Sequence, residues 1–141
     1  MRIVLLTLLL AFCNLSFAEL SPVEKQFVEM MQSGDLRQLK QAAKSAHSRG
    51  TTNTEVLDVA AEALLVIYPN AIDNQIDTLA WVCNLLGQSR NSRYHQALSA
   101  VAEDGYHKKL RKYAAKAAKQ VGEGPEAPYV KGTVKLKGEY F

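Results

Sequence analysis

From residue 21 onward, apolar residues recur three and four positions apart in six successive stretches, the spacing of one helix face. Ser21-Pro22-Val23-Glu24 is a capping box with proline at the first helical position, and Val23, Phe27, Met30 and Met31 follow as far as Gly34. A second start at Asp35 to Gln38 leads into Leu36, Leu39, Ala43 and Ala46, closed by Gly50. Thr52 with Glu55 is a further capping box, ahead of Leu57, Ala60, Ala61, Leu64 and Ile67. Pro69 stops that helix, because the residue before a proline avoids the helical region. The fourth stretch starts between Asn70 and Asp73 and ends at Gly87. It is apolar on nearly every side from Leu79 to Leu86, which predicts a helix buried all round, with Trp81 and Cys83 inside it. Ser92 opens the fifth stretch, with Tyr94, Ala97, Leu98 and Val101 inward and Gly105 at its end. The sixth runs from His107 to Val121 on a narrow stripe of Leu110, Ala114, Ala117 and Val121.

The connections are short, so consecutive helices are expected as antiparallel neighbours. Gln32-Ser33-Gly34-Asp35-Leu36-Arg37 is echoed by Gln88-Ser89-Arg90-Asn91-Ser92-Arg93, and Leu57-Asp-Val-Ala60-Ala61 by Leu110-Arg-Lys-Tyr113-Ala114. The echoes suggest two halves of three helices each. The expected fold is therefore all-α, a short right-handed α-solenoid of about six antiparallel helices with an irregular C-terminal tail. Composition changes at Gly122: residues 122–128 read as a Pro/Gly linker, and residues 129–141 as a lysine-bearing tail that is either disordered or extended. The final Phe141 does not mark an outer-membrane barrel strand, since Glu139, Lys137 and Lys135 occupy the positions where apolar residues belong.

Ahead of the helices stand Arg2, the apolar run Ile3 to Phe12, and Ser16-Phe17-Ala18. This is the layout of a signal peptide cleaved between Ala18 and Glu19, and the run is too short to anchor the chain in a bilayer. Phe12 before Cys13 does not fit a lipobox. The expectation is a periplasmic protein, with secretion as the second choice. Past the cleavage point only Cys83 remains, so no disulfide forms within the chain, and its apolar surroundings read as a small buried hydrophobe. A chain that is 48% hydrophobic and 22% charged is of ordinary globular composition, which excludes general disorder.

Asp77-Thr-Leu-Ala-Trp81-Val-Cys-Asn-Leu-Leu-Gly87, then Arg93-Tyr94, then Lys109-Leu-Arg-Lys-Tyr113-Ala114 resembles small exported bacterial proteins built from HEAT-like repeats. The specific match covers residues 76–121; residues 21–68 share only helix-pair character. The resemblance implies an α-solenoid that serves as a protein-binding scaffold, and it supplies no catalytic residues.

Enzyme chemistry finds little support in the residue pattern. His47, His95 and His107 lack the paired spacing of a helical metal site. Asp73 and Asp77 share one helix face and could serve acid–base or cation-binding work, but acids in a first helical turn also answer the helix dipole. A metal-dependent or hydrolytic accessory enzyme using Asp73 and Asp77 with the histidines is the alternative to a non-enzymatic protein-interaction module. No catalytic residue, cofactor or metal is expected. Charge carries more: residues 19–87 hold five basic and nine acidic side chains, residues 88–141 eleven basic and five acidic. Lys108, Lys109, Arg111, Lys112, Lys116 and Lys119 crowd the sixth helix without an acid among them, making it the candidate binding face. Its partner is expected to be an unidentified protein of acidic character, a second copy, or an anionic envelope surface. Few aromatics interleave with these cations, so nucleic acid is not expected.

Overall fold

The computed structural model describes residues 19–140. The leader read over residues 1–18, with Cys13, lies outside the described residues, as does Phe141. Among the described residues six α-helices form: α1 (Pro22–Gln32), α2 (Leu36–Ser48), α3 (Thr54–Ile67), α4 (Asp73–Gln88), α5 (His95–Asp104) and α6 (Lys108–Val121). Short 3₁₀ turns at Tyr68–Asn70 and Ser92–Tyr94 join α3 to α4 and lead into α5. No described helix is long and apolar enough to cross a membrane.

Local chemistry sets the boundaries. Ser21 Oγ accepts from Glu24 N at 3.2 Å, and Glu24 Oε1 accepts in return from Ser21 N at 3.3 Å, as the capping box requires. Asp35 caps α2 through Arg37 N at 2.8 Å, and the exposed backbone donors hold its carboxyl below the ordinary carboxylate range. At α3 the cap is Asn53, not Thr52: its Oδ1 accepts from Glu55 N at 3.0 Å. Ser92 is likewise not the cap; Asn91 Oδ1 holds Arg93 N at 2.9 Å and starts the 3₁₀ turn before α5.

The helices pack on neighbours two places along the chain as well as one. α1 lies against α2 and α3, α3 against α4 and α5, α4 against α2 and α6, and α5 against α6. Leu39, Leu57, Leu64, Ile67, Leu79, Leu85, Leu86, Leu98 and Leu110 are fully buried between them. Each such side chain contributes about 1.5–3 kcal/mol through burial, and among the described residues no disulfide adds to them. Cys83 is part of this core, and burial pushes its thiol up to about 12. α4 has core on most sides but is not buried all round. Asp77 is exposed, while Trp81, Asn84 and Gln88 are half-buried along one stripe. Hydropathy counts the Trp81 indole as apolar; here it lies at the edge of the core.

The two echoed hexapeptides prove to be one kind of turn. Ser33 Oγ donates to Met30 O at 2.7 Å and accepts from Asp35 N at 3.2 Å. Ser89 Oγ donates to Leu86 O at 2.6 Å and accepts from Asn91 N at 3.2 Å. A serine at the helix end with a capping Asp or Asn two residues later accounts for the likeness, whatever the larger arrangement. One turn joins α1 to α2 and the other α4 to α5, so the echo does not pair helices that occupy matching places in the packing.

Residues 122–140, the Pro/Gly linker and the tail after it, form an irregular strap packed across α3. Arg93 makes a bidentate pair with Asp58 of α3, at 2.9 and 3.0 Å, and donates to Ala127 O at 3.0 Å. The Tyr94 hydroxyl donates to Asp58 Oδ1 at 2.9 Å. One turn along α3, the buried Glu62 accepts from the Tyr129 hydroxyl at 2.6 Å and from Gly132 N at 2.9 Å. The far end seats on the α1–α2 turn, where Lys137 N and Gly138 N both donate to Gln32 O, at 3.0 and 2.9 Å, and the Tyr140 hydroxyl donates to Met31 O. Backbone meets backbone there: a Cβ on Gly138 would fall 1.9 Å from Ser33 O, and one on Gly34 2.7 Å from Glu139 N.

Burial raises the phenols of Tyr94, Tyr129 and Tyr140, the last to about 12 against an ordinary 10.0. A phenol raised on folding holds its proton in the native state while the unfolded chain has lost it. Its stabilisation is therefore complete below pH 10 and declines as pH climbs through 10 toward the folded value. Alkaline titration should show a steady fall of the thermal midpoint from about pH 10 upward. Tyr140→Phe should flatten that slope; an unchanged slope would mean the ring does not stay protonated in place.

Candidate functional site

α2, α4 and α6 run side by side in the same sense, and their outward stripes make one face. At its first level Asp77 of α4 takes Lys40 Nζ of α2 at 2.6 Å and Lys109 Nζ of α6 at 3.4 Å. The Lys40 ammonium foremost, with Lys109 second, keeps the Asp77 carboxyl below the usual range, so this acid stays ionised and is occupied by both neighbours. One turn on, Trp81 stands in the middle of the face. Lys44 Nζ of α2 lies 5.3 Å from its ring centroid, a cation–π distance. His47 packs edge-on to the same indole with centroids 5.7 Å apart. Further along, Asn84, Gln88, Arg90, Tyr113, Lys116 and Gln120 join His47 and Trp81 around a cavity of about 470 Å³. This cavity has cationic, amide and aromatic lining and no acid.

α4 and α6 approach closely where the cavity ends. A Cβ on Gly87 would stand 2.9 Å from the Ala117 backbone, so glycine opposite alanine sets the separation. That spacing brings the stripes of α4 and α6 close enough for side chains to bridge them.

The six cations of α6 have different surroundings. At 100° per residue, Lys108, Lys109, Lys112, Lys116 and Lys119 fall within about 100° of one another, and Arg111 lies about 60° beyond them. Lys109 turns to Asp77 and Lys116 to the Trp81 cavity. Arg111 is engaged locally: its Nη1 donates to Gly105 O at 2.8 Å and Tyr106 O at 2.9 Å, bracing the α5–α6 turn. Lys112 is exposed at the border of the face, and Lys108 and Lys119 are exposed farther round. From the residue pattern alone, Lys40, Lys44 and Trp81 were not associated with Lys116. The available signal was the spacing of Lys40, Lys44 and His47 along the polar side of α2, which matches Asp77, Trp81 and Asn84 on α4.

The aspartates and histidines of the enzyme alternative have the following surroundings. Asp73 is exposed in the first turn of α4, and Asp77 is held by lysines. His47 packs on Trp81; His95 Nδ1 lies 3.1 Å from Ala118 O; His107 Nδ1 caps α6 by accepting from Lys109 N at 3.2 Å. Among the described residues no three His, Cys, Asp or Glu side chains are grouped to hold a metal ion.

Compared with protein-family models, curated proteins and solved structures, the chain matches none. The likeness to exported HEAT-like proteins thus rests on the quoted residues, and the structure supports it as far as an all-helical protein of six described helices.

Proposed function

We propose that this chain is a non-enzymatic, periplasmic protein-interaction module, a short HEAT-like solenoid that binds an acidic partner protein on the face formed by α2, α4 and α6. The observation that carries it is the concentration of Lys44, His47, Arg90 and Lys116 around the half-buried Trp81, while Asp77, the acid nearest that indole along α4, is already paired with Lys40 and Lys109. Cations beside an open aromatic surface suit a ligand that is negatively charged and partly apolar. Packing of α1 on α3, α2 on α4 and α4 on α6 supports the solenoid reading, since alternate helices contact one another in a stack of helix pairs.

The test is capture from an envelope extract of the native host at low salt. Single exposed ion pairs contribute only about 0–1 kcal/mol, so two reversals are needed to be read clearly. Lys44→Glu with Lys116→Glu should reduce recovery of the acidic partner about tenfold, equivalent to ~1.4 kcal/mol. The helical signal and thermal midpoint should hold. Lys108→Glu with Lys119→Glu, off the face, should leave capture near the wild-type level. Equal recovery with both double variants would refute the assignment of this face.

A further inference from the structure

Resting on that reading, we infer that the end of the face beside Arg90 is a carboxylate subsite, built for a Glu or Asp side chain of an extended peptide segment in the partner. Three independent features meet there. The first is backbone conformation. α1 and α2 both end with a left-handed residue two positions past the helix, and in both it is glycine: Gly34 at φ 82° and Gly50 at φ 65°. α4 ends in the same way, but with Arg90 at φ 52°, the one described residue other than glycine with positive φ. A Cβ disfavours that conformation, and glycine performs the same task in the like turn at Gly34. Strain that a commoner residue would remove calls for a function of the side chain that imposes it.

The second feature is the cavity. Arg90 and Lys116 line it with His47, Trp81, Gln88 and Tyr113, and no carboxylate is present to neutralise them. A guanidinium presents paired N–H donors that match a carboxylate. The third is Gln88, which lines the same cavity; its Nε2 is buried near Gly50 without a hydrogen-bond partner, a donor that a turn of the side chain would bring to a carboxylate in the cavity. The cations are also spread out: Lys44 sits over the indole on the α2 side, while Arg90 lies past the end of α4. Separate carboxylates along one peptide suit this layout better than a single multiply charged group. The indole between them offers a surface to an apolar residue flanked by the two acids.

Trp81 is the single tryptophan of the chain, so its emission reports on this site directly. The probe is a synthetic peptide with two Glu residues flanking a Phe, acetylated and amidated so that its only carboxylates are on side chains. It should change Trp81 emission saturably, and its Gln counterpart should not. Arg90→Gly should weaken the peptide about tenfold and at the same time raise the thermal midpoint by about 4 °C, because the left-handed strain is relieved. Arg90→Lys should fall between in affinity. Several results would overturn the subsite: no saturable change with the Glu peptide, equal response to the Gln peptide, undiminished binding by Arg90→Gly, or saturation by a polyuronate in place of the peptide. If the Lys44/Lys116 double variant loses partner capture while Arg90→Gly keeps full peptide affinity, the subsite is wrong and the face stands. If neither set of variants alters binding, both are wrong.

Discussion

Arg93→Ala should lower the thermal midpoint by about 10 °C and release the strap to protease, although Arg93 takes no part in the binding face. Arg93 joins three segments: its guanidinium holds Asp58 of α3 at 2.9 and 3.0 Å, donates to Ala127 O, and lies 5.5 Å from the Tyr129 ring centroid. Removing it leaves Asp58 with only the Tyr94 hydroxyl among these partners, in a site where the carboxylate side chain is 17% exposed. A lost partner at a fully buried ion pair costs about 3–5 kcal/mol, and partial solvent access reduces that here to about 2–3 kcal/mol. Arg93→Lys keeps the charge but not the two-pronged geometry, so it should recover less than half of the loss. Thermal unfolding checks the stability, and cleavage by a lysine-directed protease at Lys131, Lys135 and Lys137 checks the strap. A variant that melts as the wild type does and resists cleavage would show that Tyr129, Gly138 and Tyr140 hold the strap unaided.

Leu79→Ala and Leu86→Ala should each destabilise by about 2–5 kcal/mol, enough to lower the midpoint by some 10–15 °C. Both side chains are fully buried in α4, which packs against α2, α3 and α6, so neighbours on three sides must collapse to fill the void. Ile72→Ala is the control. Ile72 is 61% exposed, and its loss should stay within about 0.5 kcal/mol. Denaturant melts of the three variants would separate the cases, and a small effect at Leu79 would mean that α4 is not central to the core.

The helices were legible because caps and stripes agree at each of them: Ser21 with Glu24, Asp35 before Leu36, and Gly105 after Val101 each mark a boundary by a local bond. Asp58 and Glu62 were not recognised. Their partners Arg93 and Tyr129 stand 35 and 67 residues away, and no periodicity reports such a pairing. A clue existed in Ala60-Ala61-Glu62-Ala63-Leu64, where an acid inside an apolar run must find a donor. The binding face was half legible. Lys116 was singled out on charge, but its companions Lys44, His47 and Trp81 come from other helices. Hydropathy placed Trp81 mostly in the core, which agrees with its partial burial, but it did not show that part of the residue stays accessible beside α2 and α6. Arg111 was singled out on charge as well; its bonds to the carbonyls of Gly105 and Tyr106 are not visible in sequence.

The central claim, an acidic partner seated on the α2–α4–α6 face, is tested most directly by lysine footprinting of the captured complex. Amine acylation followed by peptide mass spectrometry compares each lysine in the free and bound protein. Protection should fall on Lys44 and Lys116, with Lys108 and Lys119 as reactive in the complex as in the free chain. Protection centred on Lys108 and Lys119, with Lys44 and Lys116 still fully reactive, would contradict the account.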